Sequence, residues 1–250
     1  MTLTGFDQEG WLEASKAIGF AVPPVGVNYS VEPPEGVPRL EGIMRLCEML
    51  RHAQEGNVFY ADAENHLCGA ALYSLGKDLP PVYTSGVYGT GLEVFDHPRS
   101  GSRLYDHIPR LEDRRGIEYV TLAPLGKLAD TPDLLLFAAS EEQSEVLLRA
   151  VSYSTGEMWT SKSTGVIGCS WLFVYPYLTG EVNYTPILSM GMRALKVFTP
   201  GTYLLSIPFD KCAVVLDSLK RMPITLTALG PGGDEFRVKL LTRLGLDPTH

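Results

Sequence analysis

The 250-residue chain has no long hydrophobic run and no excess of positive charge. Its apolar tracts, such as residues 171–174, fall far short of the ~18 residues that a membrane-spanning helix requires. Lys and Arg total 21 against 29 Asp and Glu, a net charge of −8. A surface of that sign repels phosphate backbones and lipid headgroups, so neither a nucleic-acid nor a membrane partner is expected. The one local group of arginines, Arg110, Arg114 and Arg115, is interleaved with Glu112 and Asp113 and reads as a solvated turn. Cysteine is scarce: there are four, with no C-x-x-C pair, so no zinc knuckle is present. A Walker loop, an H-E-x-x-H pair and a G-x-S-x-G elbow are also missing. The glycines at 86, 89 and 91 lack the spacing of a dinucleotide fingerprint. The first residues lack the basic-then-apolar order of a secretory signal. A cytoplasmic location is therefore expected, with thiols reduced or metal-bound rather than paired as disulfides.

What is present is ordinary globular composition, 45% apolar and 20% charged, enough for one large core. Helical spacing covers residues 9–18, with Trp11, Ala14 and Ile18 on one side. Alternation at Val25, Val27 and Tyr29 predicts a strand, and residues 40–54 predict a helix with Ile43, Leu46, Cys47 and Leu50 on one face. Further helices are expected at 67–75 and 99–107, and strands at 117–122 and 134–138. Ser140 followed by Gln143 forms a capping box for a helix to about residue 151. Residues 166–174 fit a helix or a buried strand, 202–207 a strand, and 209–221 a helix with Val214, Val215 and Leu219 inward. A last strand at 223–229 and a helix at 236–244 complete the expectation. The fold class is α/β (α+β), a single domain over 1–250.

Residues about one hundred apart show a weak internal repeat. A strand, a helix closed by Gly56 or Gly156, an aromatic segment and a cysteine opening an apolar helix recur, with Gly56 to Cys68 one residue shorter than Gly156 to Cys169. The expected arrangement is two β-α-α-β halves, 20–125 and 130–222, packed around a shared site, with a C-terminal extension at 223–250. That packing would bring Cys68 and Cys169 together.

Several motifs resemble a known family. Pro23-Pro-Val-Gly-Val27, Arg45-Leu-Cys-Glu48, Glu64-Asn-His-Leu-Cys-Gly69, Leu122-Ala-Pro-Leu125, Cys169 and Tyr175-Pro-Tyr-Leu-Thr-Gly180 are similar, in order, to the bacterial and archaeal domain of unknown function 169, or ArCR. The resemblance implies up to four cysteines. The first three match Cys47, Cys68 and Cys169. The fourth belongs to a Gly-Cys-x-Gly-x-Arg stretch that reads Leu188-Ser-Met-Gly-Met-Arg193 here, so Ser189 stands in its place. Cys212 lies outside the pattern and reads as a small packing residue.

Thiolates suit iron–sulfur clusters, zinc or copper(I), and ligands scattered over more than a hundred residues need a folded scaffold to converge. A 4Fe-4S cluster held by Cys47, Cys68 and Cys169 would leave one iron open beside Ser189 and able to polarise a small polar substrate. On that expectation Glu64 or His66 moves protons. Arg193 holds an anionic group, and Asn65, Tyr175 and Tyr177 line the pocket. The reaction expected is a lyase-type elimination, heteroatom abstraction or redox step. Buried structural thiols, in a metal-free binding or sensory module or a cofactor-independent enzyme, are the alternatives. Tyr83, Tyr88 and Trp171 read first as core. The partner is a small molecule, with room for a homo-oligomer.

Overall fold

The computed structural model describes residues 5–111 and 116–247. Helix α1 (Gln8–Ile18) opens on Asp7, whose carboxylate accepts the Gly10 N–H, and seats Trp11 in the core. There follow β1 (Val25–Ser30), α2 (Leu46–Gln54), β2 (Phe59–Ala61), α3 (Gly69–Ser74), α4 (Pro81–Thr84), α5 (Val87–Gly91), α6 (Pro98–Tyr105) and β3 (Tyr119–Pro124). The second part holds β4 (Leu134–Ala139), α7 (Glu141–Ser152), a π-helical turn (Ser170–Val174) running into α8 (Tyr175–Thr179), β5 (Asn183–Thr185), α9 (Met190–Ala194), β6 (Tyr203–Pro208), α10 (Phe209–Arg221) and α11 (Gly233–Arg243). No helix among the described residues is long and apolar enough to cross a membrane.

All six strands form one antiparallel sheet in the order β2-β3-β1-β4-β6-β5. The central strand β4 reads Leu-Leu-Leu-Phe because both of its faces are covered. Leu134 and Leu136 join the layer containing α2 and the π-helical turn, while Leu135 and Phe137 join α1, α7 and α10. Each such side chain contributes on the order of 2 kcal/mol by leaving water. The Ser140 capping box forms as expected and starts α7.

The strand order is palindromic. A twofold axis through the β1–β4 pair exchanges β1 with β4, β3 with β6 and β2 with β5. Around each edge strand the chain repeats one pattern: a helix beginning at a cysteine runs into the edge strand, and a short helix follows. α2 with Cys47 precedes β2 and Cys68 caps α3; the turn after Cys169 precedes β5 and Ser189 caps α9. By place in the fold Cys47 therefore matches Cys169, and Cys68 matches Ser189. This differs from the pairing that the glycine spacing suggested, because β2 lies between Gly56 and Cys68 whereas no strand forms between Gly156 and Cys169. Helix α7 has no counterpart in the first half.

Other expectations are corrected. Residues 40–45 are not helical, because Leu40 N–H is taken by the Tyr60 carbonyl and Met44 bridges to His66; Ile43 is exposed. The last strand at 223–229 is absent: Arg149 holds the Pro223 and Ile224 carbonyls, and Thr227–Leu229 is a 3-10 turn. Val214 faces outward while Cys212 and Leu216 turn in. Of the expected charged turn, Glu112, Asp113, Arg114 and Arg115 lie outside the described residues. Arg110 caps the Gly76 carbonyl and stacks on Tyr73 at 4.5 Å.

Candidate functional site

Four helix starts deliver the family-pattern residues to one place. Cys47 sits in the first turn of α2, whose entry is fixed by a capping box in which Glu48 accepts the Arg45 N–H at 2.9 Å. Cys68 is the extended residue before α3. Its approach is shaped by Asn65, whose side-chain amide donates to the Leu40 and Gly42 carbonyls. Cys169 precedes the π-helical turn, and Asn183 satisfies the Trp171 carbonyl within that widened turn at 2.7 Å. Ser189 precedes α9. The Ser74 and Ser170 hydroxyls hydrogen-bond to each other and tie α3 to the π-helical turn. Gly168 lies so close to Ser189 that an added Cβ would stand 3.1 Å from the serine Cβ. Cys47, Cys68, Cys169 and Ser189 all line one cavity of about 400 Å³.

The thiols are not equivalent. Cys47 and Cys169 are buried and share a side-chain hydrogen bond, whereas Cys68 is partly open. That bond is the main cause holding the Cys47 thiol below its ordinary range, against the opposing effect of burial. It also raises Cys169 well above its range, with burial and the nearby Cys47 and Cys68 adding to the effect. Of the pair, Cys169 is the hydrogen-bond donor and Cys47 the acceptor. Ile167, next to this pair and on the cavity wall, has φ of 56°, a conformation a β-branched residue rarely adopts. Such strain costs about 1–3 kcal/mol and collects at functional sites. Cys212 is elsewhere, in the core on the other face of the sheet, and burial pushes it up to about 12.

The remaining residues named from the sequence do not line this cavity. Glu64 is exposed and paired with Arg39 at 2.7 Å, beside the Arg39–Asp62 pair. His66 is buried with both ring nitrogens unpartnered, and burial lowers it to about 4, so the ring is neutral at pH 7. Asn65 is committed to the backbone bonds described above. Tyr175 packs on Trp171 and donates to Glu181; Tyr177 packs on Tyr29 at 4.5 Å. Arg193 is exposed on α9.

The cavity instead uses Arg45 and a wall of aromatics that the sequence reading placed in the core. Tyr83 and Tyr88 pack ring to ring at 4.6 Å, and Phe95 and Tyr105 stand beside them. That wall exists because α5 and α6 approach backbone to backbone: a Cβ on Gly86 would lie 1.9 Å from the Pro98 carbonyl oxygen, and one on Gly101 would lie 2.8 Å from the Gly86 Cα. Arg45 was within reach of sequence reasoning, since it lies two residues before Cys47 in a quoted motif. Tyr88 carried no such signal. Among the described residues, no three His, Cys, Asp or Glu side chains are gathered tightly enough to hold a metal ion.

In comparisons with known proteins, the family model described as uncharacterised ArCR, domain of unknown function 169, matches residues 15–218. No curated protein and no solved structure matches the chain.

Proposed function

The chain belongs to the uncharacterised ArCR family, and from that premise we propose that it is a small-molecule enzyme in which Cys47, Cys68 and Cys169 hold a 4Fe-4S cluster. The observation that carries this reading is the meeting of three thiols and Ser189, from four separate segments, in one cavity. The donor set fits the group: soft thiolates are what iron–sulfur clusters require. When bound, the cluster would supply an open iron for an elimination, heteroatom abstraction or redox step.

The protein's own part is to bind, orient and keep water out. The Cys169 thiol donates to Cys47 and holds it below its ordinary range. The Tyr83–Tyr88 pair sets aromatic surface in the same cavity as the thiols, and contact with it would orient an apolar part of a substrate. The Ser189 hydroxyl offers one donor and two acceptor pairs at the place where the family pattern has its fourth cysteine. A reducing cytoplasm, proposed as the site of action, would keep the thiols available.

Anaerobic purification followed by iron and acid-labile sulfide analysis tests the reading. Visible absorbance is expected in the intact protein, and Cys47→Ala, Cys68→Ala and Cys169→Ala should each abolish it. Retention of colour in all three variants, or iron-free protein from an anaerobic preparation supplied with iron and sulfide, overturns the proposal. A metal-free binding module is the second reading. The direct Cys47–Cys169 hydrogen bond favours it, since it satisfies both thiols without a metal.

A further inference from the structure

The walls of this cavity away from the thiols carry a recognisable charge pattern. They are mostly apolar, with Tyr83, Tyr88, Phe95 and Leu104 among them, and among the described residues neither Asp nor Glu lines the cavity. Arg45 is the one lysine or arginine lining it among the described residues, although the chain as a whole is acidic. Arg45 uses Nη1 on Glu48, at 3.2 and 3.3 Å. Its Nε and Nη2 make no hydrogen bond among the described residues, and its side chain is only one-third exposed.

We propose that the occupant of the cavity is an amphipathic monoanion: an aromatic or branched aliphatic body against the tyrosine wall, with a single carboxylate or sulfonate held by Arg45. This rests on the cavity being the ligand site of the proposed function, and it replaces the polar substrate expected from the sequence. A guanidinium presents a planar fork that suits a carboxylate. A cationic ligand would find no counter-charge on these walls, and a polar uncharged one would leave groups unpaired against hydrocarbon. A volume of about 400 Å³ lies at the small end of the range of about 300–1,000 Å³ for ligand pockets, which suits a body of one or two rings.

Anilinonaphthalene sulfonate and its uncharged counterpart phenylnaphthylamine probe this on the full chain. The experiment is run on apoprotein and on anaerobically purified protein whose iron content is measured in parallel. In the apoprotein, where Cys68 is a free thiol, bound dye should protect the partly open Cys68 from N-ethylmaleimide, as read by peptide mass spectrometry. The sulfonate should bind at least about tenfold tighter than the uncharged analogue, the worth of one charge-assisted contact. Arg45→Met should remove that advantage and leave the analogue's affinity unchanged; Arg45→Lys should restore part of it. Equal affinity of dye and analogue for the wild-type chain overturns the proposal, as does unchanged Cys68 labelling of the apoprotein at saturating dye. Those two wild-type measurements decide the matter even if Arg45→Met does not fold. Protein that stays iron-free after anaerobic purification with iron and sulfide supplied, yet shows dye-dependent protection, overturns the cluster and leaves this inference standing.

Discussion

Cys47 and Cys212 are both buried thiols, and their surroundings give them opposite tendencies. Cys212 sits among hydrocarbon with Val215 and Leu216, so burial raises it to about 12 and it remains an inert packing group. Cys47 has a second thiol donating to it and is lowered instead. Burial alone therefore does not separate a structural cysteine from a reactive one; the neighbouring donor does. Asp133 shows the same competition in a carboxylate. It accepts the Tyr29 N–H at 2.8 Å, yet burial dominates and raises its pKa above 3.8. An acid with a raised folded pKa is favoured when protonated, so its cost to stability grows as pH rises from 3.8 through the folded value and persists above it. Asp133→Asn keeps an acceptor for Tyr29 and removes that charge. The variant should be at least as stable as wild type at pH 7 and should lose the difference below pH ~4; urea unfolding at both pH values checks this. The three family-pattern cysteines were legible as residue types. Arg45 was legible only through its place two residues before Cys47, and Tyr88 was not legible, because nothing in a tyrosine announces which cavity it will line.

Helices whose information is local came through clearly. Periodicity and neighbouring proline or capping groups set α1, α7 and α10, because these forces act within a few residues. The region between 40 and 45 failed for the opposite reason: its hydrogen bonds go to Tyr60 and Asn65, partners about twenty residues away in the chain, which a periodicity reading does not see. The glycine-rich middle is a further case. Two glycines, Gly86 and Gly101, let the start of α5 and α6 meet backbone to backbone. Gly86, at φ of 80° and with Pro98 O 1.9 Å from where a Cβ would be, cannot gain a side chain without moving backbone. Gly86→Ala should therefore cost about 2 kcal/mol or more and weaken dye binding through the displaced wall. Gly91→Ala, at a position with nothing within 4 Å, should do neither. Denaturant midpoints of the two variants make the comparison.

At the scale of the molecule, the core and the site belong to the sheet and the helices that cover it, and the C-terminal helix stands apart. In α11 only Gly233 is buried; Phe236 and Val238 are exposed, and its contacts go mainly to the Thr227–Leu229 turn. The family match ends at residue 218, before this helix. A chain ending after Leu226 keeps the Arg149 contacts to Pro223 and Ile224. Its Tm should fall by less than about 4 °C, roughly 1 kcal/mol or so at this size, and its dye binding should match that of the full chain. Calorimetry of the truncated protein decides whether the extension is peripheral.

By itself the sequence determined the fold class, most helix limits, the absence of a spanning helix, and the residue types able to bind a soft metal. These follow from composition and from interactions between near neighbours along the chain. Only the tertiary structure decided which groups meet: that Cys47 faces Cys169, that Ser189 occupies the place matching Cys68, and that Arg45 rather than Arg193 is the cation at the cavity. The physical reason is the antiparallel sheet, whose palindromic strand order brings together residues more than a hundred positions apart. Such pairings are settled by long-range packing, and no local pattern encodes them.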